Sequence, residues 1–250
     1  GFCESLNKLD SNWIKYEINK KSLASKSSKA FSFNFKPVPF SNYLNQFNQV
    51  KQQIALGNTY LTNLTIKTKI NTTLDLLEIF NFSNAKYKLW VKDKFVSFSP
   101  ECFIEINDHQ ISTYPMKGTH KLLADESPEI LLSNPKENAE HLTIVDLLRN
   151  DLSMVANKVK VNHFKYLDQL MTNHGIIVQM SSKISGELKE KYFNRYGTLL
   201  DLILPAGSIS GAPKDKTLEI IQESEDYDRG FYTGIFGTLC NGNLDSGILI

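Results

Sequence analysis

The chain has 250 residues, with 28 basic and 27 acidic side chains and a formal net charge of +1 at pH 7. This length is enough for a substantial hydrophobic core in one large domain or two small ones. So balanced a charge provides no global field to attract nucleic acid or a membrane surface. No apolar run approaches the roughly 20 residues that a membrane-spanning helix needs. We therefore expect neither nucleic acid nor a membrane as a partner.

The cysteines and the N-terminus indicate a cellular compartment. Cys3, Cys102 and Cys240 are widely spaced and odd in number, so neither a disulfide framework nor a zinc knuckle is predicted. Residues 1–5 contain no basic stretch that leads into an apolar one, so no signal peptide is expected. Both features favour the reducing environment of the cytoplasm.

Taken in chain order, the first half alternates between helical and extended patterns. Residues 1–35 are rich in Lys, Asn and Ser and are expected to be irregular, with 20–29 as an exposed loop. Apolar spacing predicts a helix over 41–56, which Gly57 ends. The predicted elements that follow are a strand over 59–66, a short helix over 74–80, and strands over 87–97, 102–106 and 109–114, the last two joined by a turn at Asn107-Asp108.

The second half continues this mixture. Its predicted elements are a short helix over 128–132, a helix over 138–148 that ends near 150–151, strands over 159–167 and 176–185, a helix over 198–204, a loop over 206–212, a helix from Pro213 through Glu223, a strand over 231–240, and a hairpin turn at Asn241-Gly242 before 244–250. Strands and helices do not alternate regularly, so we predict an α+β fold with largely antiparallel sheets.

Lys117 lies between a predicted strand and Gly118, in the segment Tyr-Pro-Met-Lys-Gly-Thr. Gly118 permits close backbone approach to a ligand, and a lysine amine becomes a nucleophile when its surroundings lower its pKa. Spacing alone favours a surface lysine in a turn. Glu101, in Ser-Pro-Glu sixteen residues earlier, could meet Lys117 if two antiparallel strands bring their far ends together. The pair would suit acid–base chemistry, or form an ordinary surface salt bridge.

Two further segments have chemical potential. Glu140 begins the run Glu-His-Leu-Thr-Ile-Val-Asp-Leu-Leu-Arg-Asn-Asp. Carboxylates on a helix suit Mg²⁺, although a solvated acidic face is the more common outcome of such a pattern. Residues 205–214 read Pro-Ala-Gly-Ser-Ile-Ser-Gly-Ala-Pro-Lys. A glycine-serine loop that enters a helix can present backbone N–H groups to a carboxylate, or it can be a simple helix-entry turn.

Together and in this order, the motifs resemble the chorismate-utilising enzyme family from about Gly57 to the last residue. The motifs that carry the resemblance are Ser-Pro-Glu (99–101), Pro-Met-Lys-Gly-Thr (115–119), Ala-Glu-His-Leu-Thr-Ile-Val-Asp-Leu-Leu-Arg-Asn-Asp (139–151), Ser-Gly-Glu-Leu (185–188), Ala-Gly-Ser-Ile-Ser-Gly-Ala-Pro-Lys (206–214) and Asp-Ser (245–246). The resemblance implies two facing, largely antiparallel sheets with helices packed outside and the site between them. It also implies a single chorismate-binding catalytic domain over 1–250, with 1–40 as a divergent N-terminal segment.

The resemblance implies a role for each matching residue. Its substrate would be chorismate and its cofactor Mg²⁺, which would act as Lewis acid and template. The residues concerned are Glu140 as a metal ligand, Gly118 and Thr119 as substrate contacts, Gly207 and Ser208 as the carboxylate-binding turn, Glu101 as the acid–base residue, and Lys117 as a covalent nucleophile.

Lys117 also indicates the reaction. Anthranilate synthases typically have Ala at this position, whereas enzymes that form 4-amino-4-deoxychorismate for 4-aminobenzoate and folate synthesis have Lys. The resemblance therefore implies the para-aminating type, supplied with ammonia by a glutamine amidotransferase subunit. Within the family, the alternative is anthranilate synthase component I or another chorismate-converting enzyme. Outside it, the alternative is a non-catalytic module that binds a chorismate-like ligand or a partner.

Three departures from the family pattern bear on these expectations. Gln179 stands where anthranilate synthases have His, and Thr238 stands where many relatives have a substrate-contacting Tyr. Relatives continue past the position of Ile250 with an Arg, a glycine-rich turn and a second metal-binding Glu. Residues 1–250 are therefore expected to lack the C-terminal part of the family domain and, with it, half of the metal site, which these features beyond Ile250 would complete.

Overall fold

The computed structural model describes residues 4–5, 8–20, 30–123, 125–172 and 175–250. The loop expected over 20–29 lies, from residue 21 on, outside the described residues. The strands are β1 (Ile14–Ile18), β2 (Phe33–Lys36), β3 (Leu61–Thr62), β4 (Lys69–Thr72), β5 (Tyr87–Val91), β6 (Phe95–Ser99), β7 (Cys102–Asn107), β8 (Gln110–Thr113), β9 (Met116–Lys121), β10 (Ala156–Thr172), β11 (Gly175–Leu188), β12 (Gly211–Ala212), β13 (Ile235–Cys240) and β14 (Asn243–Ile248). The helices are α1 (Phe40–Ala55), α2 (Leu76–Phe82), α3 (Pro135–Val155), α4 (Tyr196–Ile203), α5 (Gly207–Ser210) and α6 (Lys214–Ser224), with 3-10 turns at Pro128–Ser133 and Glu190–Tyr192.

A seven-stranded antiparallel sheet forms the centre of the molecule. Its strands run in the order β10-β11-β8-β7-β14-β13, and β9 pairs with β11 beside this path. Helices α3, α4 and α5 contribute to one core cluster together with this sheet. The fully buried members of that cluster include Ile106, Ile111, Val155, Ile184 and Leu199. Burying each such side chain contributes about 1.5–3 kcal/mol, so the core lies between the sheet and these helices.

A three-stranded antiparallel sheet, in the order β1-β5-β6, packs against the large sheet. The contact is close because Gly247 in β14 has no side chain, and a Cβ atom there would collide with the Tyr87 ring. The remaining strands form two short pairs, β2 with β4 and β3 with β12. The predicted α+β class with antiparallel sheets and packed helices is confirmed. The strands outside the large sheet form one three-stranded sheet and two short pairs rather than a single second sheet.

Local sequence explains several boundaries. Asn134 caps α3, since its side chain accepts hydrogen bonds from the backbone N–H groups of Lys136 and Glu137. Asp75 and Glu78 form a reciprocal capping box at the start of α2. The predicted turn at Asn241-Gly242 joins β13 to β14, with positive φ at both residues.

Several boundaries differ from the prediction. The strand expected over 87–97 is the hairpin of β5 and β6, which turns at Asp93 with φ 56°. The turn between β7 and β8 lies one residue later than predicted, at Asp108-His109. The extended segment over 231–240 becomes a strand only at Ile235.

Three other elements escaped prediction because their partners are far away in the chain. The prediction of irregular structure over 1–35 was wrong for β1, which pairs with β5, and for β2, which pairs with β4. β4 itself was not predicted. The predicted strand over 59–66 shrinks to β3, which pairs with β12. In contrast, α3 continues past residues 150–151 to Val155 and is longer than predicted.

Candidate active site

Lys117 lies on a bulged strand. It follows β8, which corresponds to the predicted strand, but it is the second residue of a further strand, β9, and not part of the turn that spacing alone favours. Lys117 pairs with Met180 of β11, and Thr119 pairs with Gln179. Gly118 between them is the extra residue of a β-bulge, with φ 82°. A bulge changes the direction of neighbouring side chains, and a positive φ favours glycine.

Glu101 occupies the turn between β6 and β7. Its backbone N–H donates to the Ser99 hydroxyl at 3.0 Å, and its carbonyl accepts from the N–H of Ile248 at 3.1 Å. These two bonds hold the turn against β14. The Glu101 carboxyl interacts with the Ser208 hydroxyl of α5 and with the positive charge of Lys117. The structure therefore places Glu101 where it interacts with both residues, whereas the sequence suggested only the pairing of Glu101 with Lys117.

The electrostatics of this group favour a proton on Glu101. Burial raises the pKa of the Glu101 carboxyl, because desolvation penalises the charged form. A hydrogen bond with Ser208 and the charge of Lys117 oppose this rise without cancelling it. Among the described residues, no carboxylate forms a direct ion pair with Lys117. A carboxyl of raised pKa beside an amine without a carboxylate ion pair is suited to acid–base work.

Gly207 and Ser208 begin α5, where the chain passes close to α3. The N–H of Gly207 donates to the carboxylate of Asp151. A Cβ atom at residue 207 would lie 2.9 Å from the Asp151 Oδ2 atom and 3.0 Å from Leu147, so a larger residue would require these two side chains to shift. The Gly207 N–H therefore binds a protein carboxylate in this structure, and its role as a substrate contact stays a prediction.

Glu140 lies on the first turns of α3 and pairs with exposed Lys136 at 3.5 Å. Glu137, one turn earlier, faces β9, because a Cβ atom on Gly118 would lie 3.2 Å from its Oε2 atom. Sequence reasoning missed Glu137, although its i, i+3 spacing from Glu140 was visible. Mg²⁺ is commonly held by one or two carboxylates together with waters, so the donor set of Glu137 and Glu140 fits this ion.

A match to a family model identifies the family of this chain. A model described as "chorismate binding enzyme" matches residues 3–250. The chain belongs to the chorismate-binding enzyme family. An "Uncharacterized PabA-like protein" of Haemophilus influenzae is 48% identical over 239 residues, which are 95% of this chain and 73% of that protein.

Other family members match shorter shares of their own length. "Aminodeoxychorismate synthase component 1" of Klebsiella aerogenes is 32% identical over 224 residues, 83% of this chain and 48% of that protein. Anthranilate synthases are among the relatives at comparable identity. The crystal structure of a putative isochorismate synthase from Bacillus anthracis superposes with a TM-score of 0.73 at 22% identity, covering 90% of this chain and 64% of that one. This last likeness supports the fold.

The two departures from the family wording lie on strands of the large sheet. The Gln179 Nε2 atom is 3.5 Å from the Thr119 hydroxyl, whereas its Oε1 atom is buried and has no hydrogen-bond partner. Thr238 lies on β13 opposite Asp245 of β14. Gln179 therefore borders the bulge that carries Lys117, and its amide nitrogen faces Thr119.

His141 is a second residue that sequence reasoning passed over. It is fully buried behind β9, and its Nε2 atom lies 2.7 Å from the Ser182 hydroxyl. Its Nδ1 atom lies near the Lys117 backbone but has no hydrogen bond of good geometry. Burial lowers the pKa of His141 to about 4, so the ring is neutral at pH 7 and supports the strand beneath Lys117.

Another polar group lies on β7 and β14, away from Glu140. Ligand atoms of Cys102, Glu105 and Asp245 lie within 4.8 Å of one another, the one such group of three found in the described chain. Its members already have partners. The Tyr87 hydroxyl donates to Asp245 at 2.8 Å, and the Lys86 ammonium is 3.7 Å from Glu105. We refer to these five residues as the inter-sheet cluster.

Within the described residues, no helix is both long and apolar enough to cross a membrane.

Proposed function

We propose that this chain aminates chorismate to 4-amino-4-deoxychorismate, within a single catalytic domain. The observation that supports the proposal is Lys117, which lies on the Gly118 bulge and interacts with Glu101. Lysine at this position distinguishes the para-aminating members of the family in the resemblance described above. Gly118 and Thr119 of the same bulge, with Ser208 opposite, would contact the substrate.

The first proposed step is a displacement by Lys117. The neutral amine attacks a ring carbon of chorismate, a C–N bond forms, and the C–O bond to the ring hydroxyl breaks. Glu101 donates the proton with which that hydroxyl leaves as water. Its raised pKa keeps this proton available closer to neutral pH than an ordinary carboxyl would. Ammonia then adds to the ring, and Lys117 is released as the free amine.

The acidic pair of α3 would hold the cofactor. Glu137 and Glu140 would bind Mg²⁺, which when bound would supply Lewis-acid stabilisation of negative charge on the substrate. Gly118 lets the chain of β9 approach Glu137 closely, so the bulge and the acidic pair belong to one site. Lys136 pairs with Glu140 on the exposed side and is the residue that a cation would have to displace.

Ammonia would come from a separate glutamine amidotransferase subunit. A glutamine-hydrolysing site needs a reactive cysteine. Cys102 is unsuited to this role, since burial raises the pKa of its thiol to about 12. Cys240 lies on the edge strand β13. We place the reaction in the cytoplasm, where the product would feed 4-aminobenzoate and folate synthesis.

The direct test incubates the purified protein with chorismate, Mg²⁺ and ammonium, and identifies the product by chromatography and mass spectrometry. We expect 4-amino-4-deoxychorismate. Without ammonium, intact-protein mass spectrometry should reveal an adduct equal to chorismate minus one water. Lys117→Ala should abolish this adduct and lower turnover about a thousandfold or more. Lys121→Ala, on the same strand, is the matched control and should retain both.

The alternatives give different results in the same assay. Anthranilate as the product would replace the para-aminating assignment with anthranilate synthase, which the anthranilate synthase relatives make a specific second candidate. Binding of chorismate that is independent of Mg²⁺, without any turnover, would support a non-catalytic module. Calorimetry with and without Mg²⁺ measures this binding.

A further inference from the structure

A largely buried ion pair joins two of the motifs through residues that the proposed chemistry does not use directly. The Lys214 ammonium lies 2.9 Å from the Asp151 Oδ2 atom, and their side chains are only 19% and 14% exposed. Asp151 is near the C-terminal end of α3, and Lys214 is the first residue of α6. We refer to the two residues as the clamp pair.

The position of Lys214 is unfavourable without its partners. A positive charge in the first turn of a helix opposes the helix dipole. The Lys214 ammonium points instead to the last residue of α4, where it donates to the carbonyl of Ile203 at 2.8 Å, and to Asp151. Removing one member of such a buried pair leaves the other charge uncompensated. The geometry therefore specifies Lys at 214 through tertiary contacts rather than through helix formation.

The clamp pair holds the first part of residues 204–212, the segment that carries Ser208. Lys214 binds Ile203, just before this segment, and Asp151 accepts the N–H of Gly207 within it. Its later part is held separately, because β12 pairs with β3. Ser208 therefore lies in the part that depends on the clamp pair.

Ser208 hydrogen-bonds Glu101, the proposed acid. We propose that Asp151 and Lys214 are positioning residues whose ion pair holds the Ser208 hydroxyl against the Glu101 carboxyl. This inference deepens the proposed function and rests on it for its catalytic meaning. Its structural content, a coupling from the clamp pair to Glu101 through Ser208, exists whether or not the product is 4-amino-4-deoxychorismate.

The test is a double-mutant cycle on Lys214 and Ser208. Lys214→Met should lower kcat about 100-fold, the effect of a misplacement of about 1 Å, with a smaller change in KM. Ser208→Ala should have a similar effect, and the double variant should be no worse than Ser208→Ala alone. Lys214→Arg, which keeps the charge, should restore part of the activity. Lys216→Met, which breaks the exposed pair with Glu219 on the same helix, should behave as wild type.

A second readout does not need turnover. In ¹³C-labelled protein, the NMR signal of the Glu101 carboxyl should titrate at higher pH in both Lys214→Met and Ser208→Ala, because each removes the hydrogen bond that lowers its pKa. A protein without aminating activity that gives these shifts would retain the clamp and lose only the proposed function.

Multiplicative effects of the two substitutions, or an unchanged Glu101 signal in folded Lys214→Met, would overturn the inference. If Lys214→Met does not fold, Asp151→Asn gives the same cycle, since it keeps the side-chain shape and an acceptor for Gly207.

Discussion

Two polar groups flank β7, and they differ in how completely their members are paired. At one end, Glu101 lies beside Lys117, whose ammonium has no direct ion pair among the described residues. On the neighbouring strand pair, the inter-sheet cluster has Asp245 bonded to Tyr87 and Glu105 beside Lys86. Burial raises the pKa of a carboxyl in both places, Glu101 and Asp245.

The comparison teaches that a raised pKa is insufficient to identify a reactive centre. In the inter-sheet cluster, the polar atoms bond to each other and join the small sheet to the large one, which is a structural role. Around Glu101, the hydrogen bond that opposes the rise in pKa comes from the Ser208 hydroxyl. The amine of Lys117 has no carboxylate in a direct ion pair with it among the described residues. A candidate reactive group is therefore recognised by a perturbed pKa together with a neighbouring side chain that is not already paired.

The largest effect on turnover is expected from Glu101→Gln. Glu101→Gln removes the proposed acid and should lower kcat by about 10²- to 10⁴-fold. In wild type, kcat/KM should fall as pH rises through the raised pKa of Glu101, because the acid form is then lost. This descending limb should be absent from the Glu101→Gln profile.

Asp245→Asn is the matched control, since it changes the other carboxyl of raised pKa. We expect it to keep both kcat and the descending limb. A comparable loss of turnover in the two variants, measured by steady-state kinetics, would contradict the distinction between the two groups.

The comparison also marks what sequence can predict. Glu101, Lys117 and Glu140 were predicted because each lies in a contiguous motif whose wording identifies the family. The Gly118 bulge was not predicted, since it depends on register with β11, some sixty residues away.

Dependence on partners far along the chain also explains why the three-stranded sheet and the clamp pair were not predicted. β1 finds its partner β5 far along the chain, and nothing in its local pattern indicates this pairing. Asp151 and Lys214 belong to separate motifs, and they meet where α5 packs against both α3 and α6. Local motifs therefore predict which residues act, whereas nonlocal pairing decides how they are held.

A substitution in the inter-sheet cluster is expected to have an intermediate effect, and to change stability without changing turnover. Tyr87→Phe removes the hydroxyl that donates to Asp245 and should lower the free energy of unfolding by about 1–3 kcal/mol. For a chain of this size, each kcal/mol corresponds to roughly 2–4 °C in Tm. Tyr43→Phe, on the exposed face of α1, should change stability by less than about 0.5 kcal/mol. Thermal unfolding measures both, and kcat should stay at the wild-type value. Loss of turnover in folded Tyr87→Phe would assign this cluster a part in the chemistry.

The smallest expected effect is the contribution of Asp245 to the pH dependence of stability. The folded-state pKa of Asp245 is raised above its ordinary value of 3.8, chiefly by burial. The folded protein therefore holds this proton more tightly than the unfolded chain does. The resulting stabilisation is fully present below about pH 3.8 and is lost as pH rises through the folded-state pKa. Asn cannot bind the proton, so the stability advantage of wild type over Asp245→Asn should shrink across this window.

Denaturant unfolding between pH 4 and pH 8 would measure that difference, and a difference independent of pH would remove Asp245 from the linkage. Because the Tyr87 hydroxyl lowers the pKa of Asp245, the decline should move to higher pH in the Tyr87→Phe background. Solvent screening at this half-exposed carboxyl makes the effect smaller than the loss of the Tyr87 hydrogen bond itself. A shift in the predicted direction would establish that the Tyr87 hydroxyl helps to set the pKa of Asp245, and such internal pairing is the property that separates the inter-sheet cluster from Glu101 and Lys117.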